Sequence, residues 1–240
     1  MEQALIDGRA DFAVHSMKDV PAELALGLSI ACVPSREDPR DALVTRTGVG
    51  LDDLPAGAKI GSSSLRRTAQ LGALRPDFSW SMLRGNVDTR IRRCHEGVVD
   101  AVVLAMAGLN RLGWAGRVTE AISVERCLPA VGQGALAIEC RSDDSSTKEL
   151  LRAVADLEAT RCVMVERGVQ QAIGGGCHVP LAAYAEKQGS GIRVRALLSG
   201  ASGDIWRRER IATWPGDDAA ALALGAEMGR ELLEASAKAV

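Results

Sequence analysis

From Ala42 to Leu104 the chain alternates short apolar runs with amphipathic stretches, and this alternation restricts the fold more than any other feature. Residues 42–45, 59–60, 78–82 and 101–104 read as strands, and 65–74 and 87–96 as helices. Strands alternating with helices predict an α/β domain with a largely parallel sheet, whose ligands sit at the carboxyl ends of strands.

The flanks differ. Residues 1–6 read as the tail of a helix closed by Gly8, and 12–15 as a strand running into the turn Ser16-Met17-Lys18-Asp19. A further strand covers 28–33, and the charged, proline-containing stretch 34–41 suits an interdomain crossing. Residues 135–139 form another strand, and 147–173 read as mostly helical until Gly174-Gly175-Gly176 breaks the pattern. A small α+β unit follows, with strands near 181–185, 193–198 and 205–211 and a helix over 217–237.

A chain of 240 residues suits two or three small domains. No apolar run is long enough to span a membrane, and the N-terminus does not read as a secretory signal, so the expected compartment is the cytoplasm. A net charge of −2 predicts no general binding to nucleic acid or to an anionic membrane. Only Lys18, Lys59, Lys148, Lys187 and Lys238 are lysines, and the rest of the 29 basic residues are arginines. Genomic base composition explains such a bias as well as function does, so placement has to decide. The six cysteines form no CxxC pair, and with three histidines no metal site is expected.

Gly61-Ser62-Ser63-Ser64-Leu65-Arg66-Arg67 follows a strand and opens a helix. Ser64 there is either a plain N-cap or part of an anion site. Arg66 and Arg67 favour the anion site, because cations are disfavoured in a first helical turn unless an anion lies among them. Leu83-Arg84-Gly85-Asn86-Val87-Asp88-Thr89-Arg90 repeats the arrangement, and Arg111 follows a third strand. Converging arginines suit a polycarboxylate or a phosphate ester. Lys18 and Asp19 read either as a surface pair or as a cation and a general acid–base carboxylate at a cleft. Cys177, after three glycines and before His178, is either a buried inert thiol or one presented for reaction.

These segments, together with Ala13–Pro21 in the form AVHSMKDVP, Arg36-Glu37-Asp38-Pro39-Arg40-Asp41, Ala107-Gly108-Leu109, Leu128-Pro129-Ala130-Val131-Gly132-Gln133-Gly134-Ala135 and Gly175-Gly176-Cys177, resemble the porphobilinogen deaminase (hydroxymethylbilane synthase) family along almost the whole chain. The resemblance implies two lobes like type II periplasmic binding proteins, with mixed sheets, plus a small C-terminal α+β domain. Its division would be 1–35 with 130–155, then 36–129, then 156–240. It implies a transferase that joins four porphobilinogens into hydroxymethylbilane with release of ammonia, in tetrapyrrole and heme biosynthesis. Cys177 would hold a dipyrromethane cofactor through a thioether, with Ser16, Lys18, Ser64, Arg66, Arg67 and Arg84 around it. Asp19 would be catalytic, and Arg90, Arg111 and Gln133 would meet substrate. The implied protein is a cytoplasmic monomer whose partner is the small-molecule substrate, without nucleic acid, membrane or metal. Family members begin with a strand–helix–strand region ahead of the position of Met1, so this chain is expected to lack part of its first domain. A non-catalytic carboxylate-binding module is the alternative, and a cysteine hydrolase using Cys177 and His178 a more distant one.

Overall fold

A computed structural model describes residues 1–174, 179–200 and 203–238. Its elements are α1 (Glu2–Ile6), β1 (Phe12–Ser16), β2 (Leu28–Cys32), β3 (Asp41–Thr45), β4 (Lys59–Gly61), α2 (Leu65–Leu74), β5 (Ser79–Ser81), α3 (Val87–His95), β6 (Ala101–Ala105), α4 (Met106–Arg111), β7 (Glu120–Ile122) and β8 (Leu136–Arg141). There follow α5 (Ser145–Leu151), α6 (Leu157–Ile173), β9 (Leu181–Gln188), β10 (Gly191–Ser199), β11 (Ile205–Thr213) and α7 (Asp218–Ala237). Single 3-10 turns occupy Met17–Asp19, Ala115–Arg117 and Arg152–Val154.

The fold class is α/β with mixed sheets. The five-stranded sheet runs β5-β4-β6-β3-β7. Its β4 pairs are parallel and its β3 pairs antiparallel, so the expected largely parallel sheet is evenly mixed instead. The physical reason lies in β3, which the chain enters from the crossing at Arg40 and which pairs with β6 and β7 in the opposite sense. All five residues of β3 are buried. Leu43 joins an apolar cluster with Ile60, Leu71 and Val103, while Ala42 and Val44 join one with Ile91, Val102 and Leu104. This is the period-two alternation of a strand covered on both faces.

A three-stranded antiparallel sheet, β1-β8-β2, combines chain from before and after the five-stranded unit. Two segments therefore cross between the sheets, 33–40 outward and 123–135 on return. They are tied together where Glu37 N–H donates to Gly134 O at 3.2 Å and Arg36 Nε donates to Gln133 O at 2.9 Å. Gly134 has φ +91°, and a Cβ there would stand 2.3 Å from Glu37 O, so a side chain at this position would push the crossings apart. A third sheet, β11-β10-β9, is antiparallel and packs Ile192, Val194 and Ala196 onto α6 and α7. Buried Glu166 of α6 accepts from both Arg36 Nη atoms (2.6 and 3.1 Å), from Gly132 N–H (2.7 Å) and from Ala185 N–H (2.9 Å). One carboxylate thus joins both crossings to the third sheet.

Candidate active site

The first functional turn forms because β1 ends at Ser16 and Met17, buried at 1% exposure, anchors the 3-10 turn Met17–Asp19 in the core. With Met17 held inward, Lys18 and Asp19 line a cleft, and Asp19 is exposed. The opposite wall comes from two helix starts. Ser64 caps α2 by accepting from Arg67 N–H at 3.5 Å, and Asn86 caps α3 by accepting from Thr89 N–H at 2.9 Å. Gly85, at φ +119°, turns the chain into α3, and Arg90 Nε donates to its carbonyl at 2.8 Å.

Two cavities, of about 310 and 410 Å³, share Lys18, Asp19, Arg67 and Arg90 and make one cleft. The smaller adds Ser64, Arg66 and Gln133, with Val179 and Leu181 from the third unit. The larger adds Ser16, Arg111 and Gly134. Arg84 is exposed and lines neither, although its neighbour Gly85 does. Cys177 lies outside the described residues. The described chain leaves at Gly174, the left-handed cap of α6, and resumes at Val179 in the cleft wall. A larger cavity of about 560 Å³ lies around Arg36 and Tyr184, but Glu37, Asp38, Asp156, Glu158 and Glu186 line it and would repel an anion.

The arginines of the cleft fall into two kinds. Arg66 and Arg67, only 5% and 6% exposed, are already paired with buried Asp41. Arg66 Nη1 also donates to Leu128 O (2.6 Å), and Arg67 Nη1 to Val103 O (2.9 Å). Arg90 and Arg111 touch only backbone carbonyls, those of Gly85 and Gly134, and make no ion pair among the described residues. Asp41 is the site residue whose task the sequence did not reveal; its one signal is an acid placed directly before the apolar run 42–44. Gln133, 1% exposed, turns its amide to Pro39 O, Arg40 O and Asp41 rather than to solvent.

The electrostatics call for an anion. Burial, and then the nearby Arg67 charge, bring Lys18 down to about 8 against the pull of Asp19 and Asp41. Burial and Arg67 also lower Arg90. Cations crowded in this way gain when a carboxylate enters among them. The five described cysteines are all buried. Burial, reinforced by Asp41 and Glu166 respectively, pushes Cys127 and Cys162 up to about 12, so neither is a ready nucleophile.

A family model described as porphobilinogen deaminase, dipyrromethane cofactor binding domain, matches residues 1–149, and one described as porphobilinogen deaminase, C-terminal domain, matches 160–234. The chain belongs to the porphobilinogen deaminase family. The porphobilinogen deaminase of Sorangium cellulosum (strain So ce56) is 56% identical over 233 residues, covering 97% of this chain and 78% of that one. That of Syntrophobacter fumaroxidans is 44% identical over 241 residues, covering 100% and 77%. That of Acidithiobacillus ferrooxidans (strain ATCC 53993 / BNL-5-31) is 48% identical over 240 residues, covering 98% and 78%. Membership decides for the transferase over the binding module and the hydrolase. The family's cofactor fits the cleft on physical grounds, because a dipyrromethane with carboxylate arms supplies an anion to Arg90, which has no ion pair among the described residues, and to Lys18, whose burial Asp19 and Asp41 do not offset. No described helix is long and apolar enough to cross a membrane.

Proposed function

We propose that this chain joins four porphobilinogens into hydroxymethylbilane, releasing one ammonia per ring, in tetrapyrrole and heme biosynthesis. The observation that carries the reading is a single exposed carboxylate, Asp19, set in a cleft otherwise walled by Lys18, Arg67, Arg90 and Arg111.

In each condensation the C–N bond of the substrate's aminomethyl group breaks and ammonia leaves. A new C–C bond forms between that methylene carbon and a pyrrole α-carbon, which then loses its proton. Positive charge develops on the substrate pyrrole as the amine departs. Asp19 faces it as a negative charge and hydrogen-bond acceptor, a preorganised group aimed at the charge that develops in the transition state. Lys18, Arg90 and Arg111 hold the acetate and propionate arms, with Ser16 and Ser64 as hydroxyl donors and Arg84 beside the α3 turn. Arg66, Arg67 and Gln133 form the buried floor. The dipyrromethane, held on Cys177 in this reading, would supply the first pyrrole α-carbon and stay with the protein; product release breaks the C–C bond between that carbon and the first substrate methylene, water adding its hydroxyl to the methylene and its proton to the pyrrole carbon.

Three domains are proposed, 1–35 with 130–155, 36–129 and 156–240, in a cytoplasmic monomer that takes its substrate from solution without nucleic acid or membrane. Asp19→Asn tests the core of the reading. It is expected to lower kcat for ammonia release 10²- to 10³-fold, as for loss of one preorganised transition-state partner, with KM near the parent value. Full-rate turnover would remove Asp19 from its role. Intact-mass measurement of the parent and of Cys177→Ala tests the attachment: the adduct should be present in the first and absent from the second.

A further inference from the structure

We propose that Asp41 is a positioning residue for this reaction, a buried carboxylate that fixes Arg66 and Arg67 against both crossings so that the guanidinium edges lining the cleft keep one orientation. The proposal rests on reading the cleft as a carboxylate site.

Asp41 is fully buried and opens β3 at the end of the outward crossing. Its Oδ1 accepts from Arg66 Nη2 (3.1 Å), Arg67 Nε (2.9 Å), Arg67 Nη2 (2.7 Å) and Gln133 Nε2 (2.9 Å). Its Oδ2 accepts from Arg66 Nη1 (2.8 Å) and Cys127 Sγ (3.3 Å). Consecutive helical residues point about 100° apart, so two neighbouring arginines reach one carboxylate only if their side chains are swung together. Asp41 does this in the first turn of α2, where two cations would otherwise repel each other and the helix dipole.

Three parts of the fold meet at this carboxylate. Arg66 and Arg67 represent α2, Asp41 itself ends the outward crossing, and Gln133 belongs to the return crossing. Gln133 Nε2 also donates to Pro39 O (2.7 Å) and Arg40 O (3.2 Å), which closes the ring of contacts. The arginine pair is therefore tied to both crossings at once. One carboxylate for two guanidiniums leaves a single positive charge shared between them, enough to hold an arm of the chain while leaving the arm free to move on.

The test is steady-state kinetics of the cofactor-loaded full chain with Asp41→Asn, which keeps the shape and removes the charge. Removing a negative charge leaves the pull on substrate carboxylates intact or greater, so KM should not rise. Loss of orientation should lower kcat ten- to a hundredfold, the scale of a misplacement of about 1 Å. The alkaline limb of the pH profile supplies a readout that a purely structural role would not move. Lys18 is faced by Asp19 from its own turn, by Asp41 from β3 and by Arg66 and Arg67 from α2. Losing the Asp41 charge should shift that limb to lower pH. A parent-like kcat, a higher KM at unchanged kcat, or an unmoved limb overturns the proposal. If Asp41→Asn does not fold, Asp41→Glu decides, since it keeps the charge but displaces the oxygens by one methylene. Lowered kcat at unchanged KM supports positioning, and a parent-like kcat refutes it. Arg90→Met is the control on the underlying reading. An unchanged KM there sinks the carboxylate cleft itself, whereas impaired Arg90→Met beside parent-like Asp41→Asn sinks only the role of Asp41.

Discussion

Replacing Glu166 by glutamine should cost about 3–5 kcal/mol, the range for breaking a buried ion pair by neutralising one partner. Glu166 is 0% exposed, and the Arg36 side chain 11%. Each carboxylate oxygen accepts one guanidinium N–H and one backbone N–H. A glutamine amide offers one oxygen for two of these donors and turns its own N–H₂ group against the other two. One charge-assisted hydrogen bond, worth about 1.5–3 kcal/mol, is lost, and one buried backbone N–H is left unpaired at about 1–3 kcal/mol. Together these figures bracket the ion-pair estimate. Urea unfolding of parent and variant, followed by both far-ultraviolet circular dichroism and tryptophan fluorescence, measures the loss. Non-coincident transitions would show the units separating before they unfold, as expected if Glu166 joins them. Protease cutting within 33–40 or 128–134 should accelerate in parallel. A midpoint shift equivalent to less than about 1 kcal/mol would refute the reasoning, because no buried carboxylate with four donors escapes the penalty that lightly.

Two other predictions concern charge and packing. Lys18, at about 8, loses its proton across the pH 7–9 range, so KM for porphobilinogen should rise there, and Lys18→Arg should flatten the profile; a pH-independent KM in the parent would count against Lys18 as an anchor. The stability effect has the opposite sign: the folded value lies below the ordinary 10.5, the unfolded chain binds more protons between the two, and this group favours folding increasingly as pH rises from about 8. Gly225→Ala should lower Tm although alanine gains about 1 kcal/mol of helix propensity over glycine, because its Cβ would stand 1.8 Å from Val165 O and 3.0 Å from Gly168 Cα, both on the facing helix. Gly108→Ala, with nothing within 4 Å of its Cβ, should raise Tm; if both substitutions move Tm the same way, the close α6–α7 contact is misjudged.

What was legible in the sequence was local. The span 65–74 shows its capping serine and its amphipathic pattern, and α2 occupies Leu65–Leu74. The strands of the third unit are two or three residues longer than expected, because cross-strand pairing extends them beyond the apolar runs. Two elements carried no local signal. β7, Glu120–Ile122, exists by pairing with β3 from far along the chain, as in Ala42 with Ala121. α4 has six residues with Gly108 and Asn110 inside, too short to announce itself. The helical span 147–173 is divided by the 3-10 turn at Arg152–Val154, after which Asp156 caps α6 through Ala159 N–H at 2.9 Å.

For the site, residue types were legible and pairings were not. A serine and two arginines at a helix start pointed to an anion, but the nearest anion is an internal one, Asp41, 25 positions upstream of Arg66. Sequence spacing cannot say which acid neutralises which base, and here that distinction sorts the cleft. Arg90 and Arg111 donate to backbone carbonyls and make no ion pair among the described residues. Arg66 and Arg67 share one neutralising charge, that of Asp41. A polymerising site needs both kinds. Each added ring brings two more carboxylates, and a wall of unpaired cations would hold every ring as firmly as the last, favouring the bound chain over its advance. Partly neutralised arginines on the floor, beside unpaired ones at the wall, grade the field along the cleft. The gradation depends on Asp41 keeping its charge while buried. Burial alone would push its carboxyl up, but Arg66 and Arg67 outweigh that and hold it well below the ordinary carboxylate range. The same two arginines that the acid restrains are thus the reason it remains ionised to restrain them.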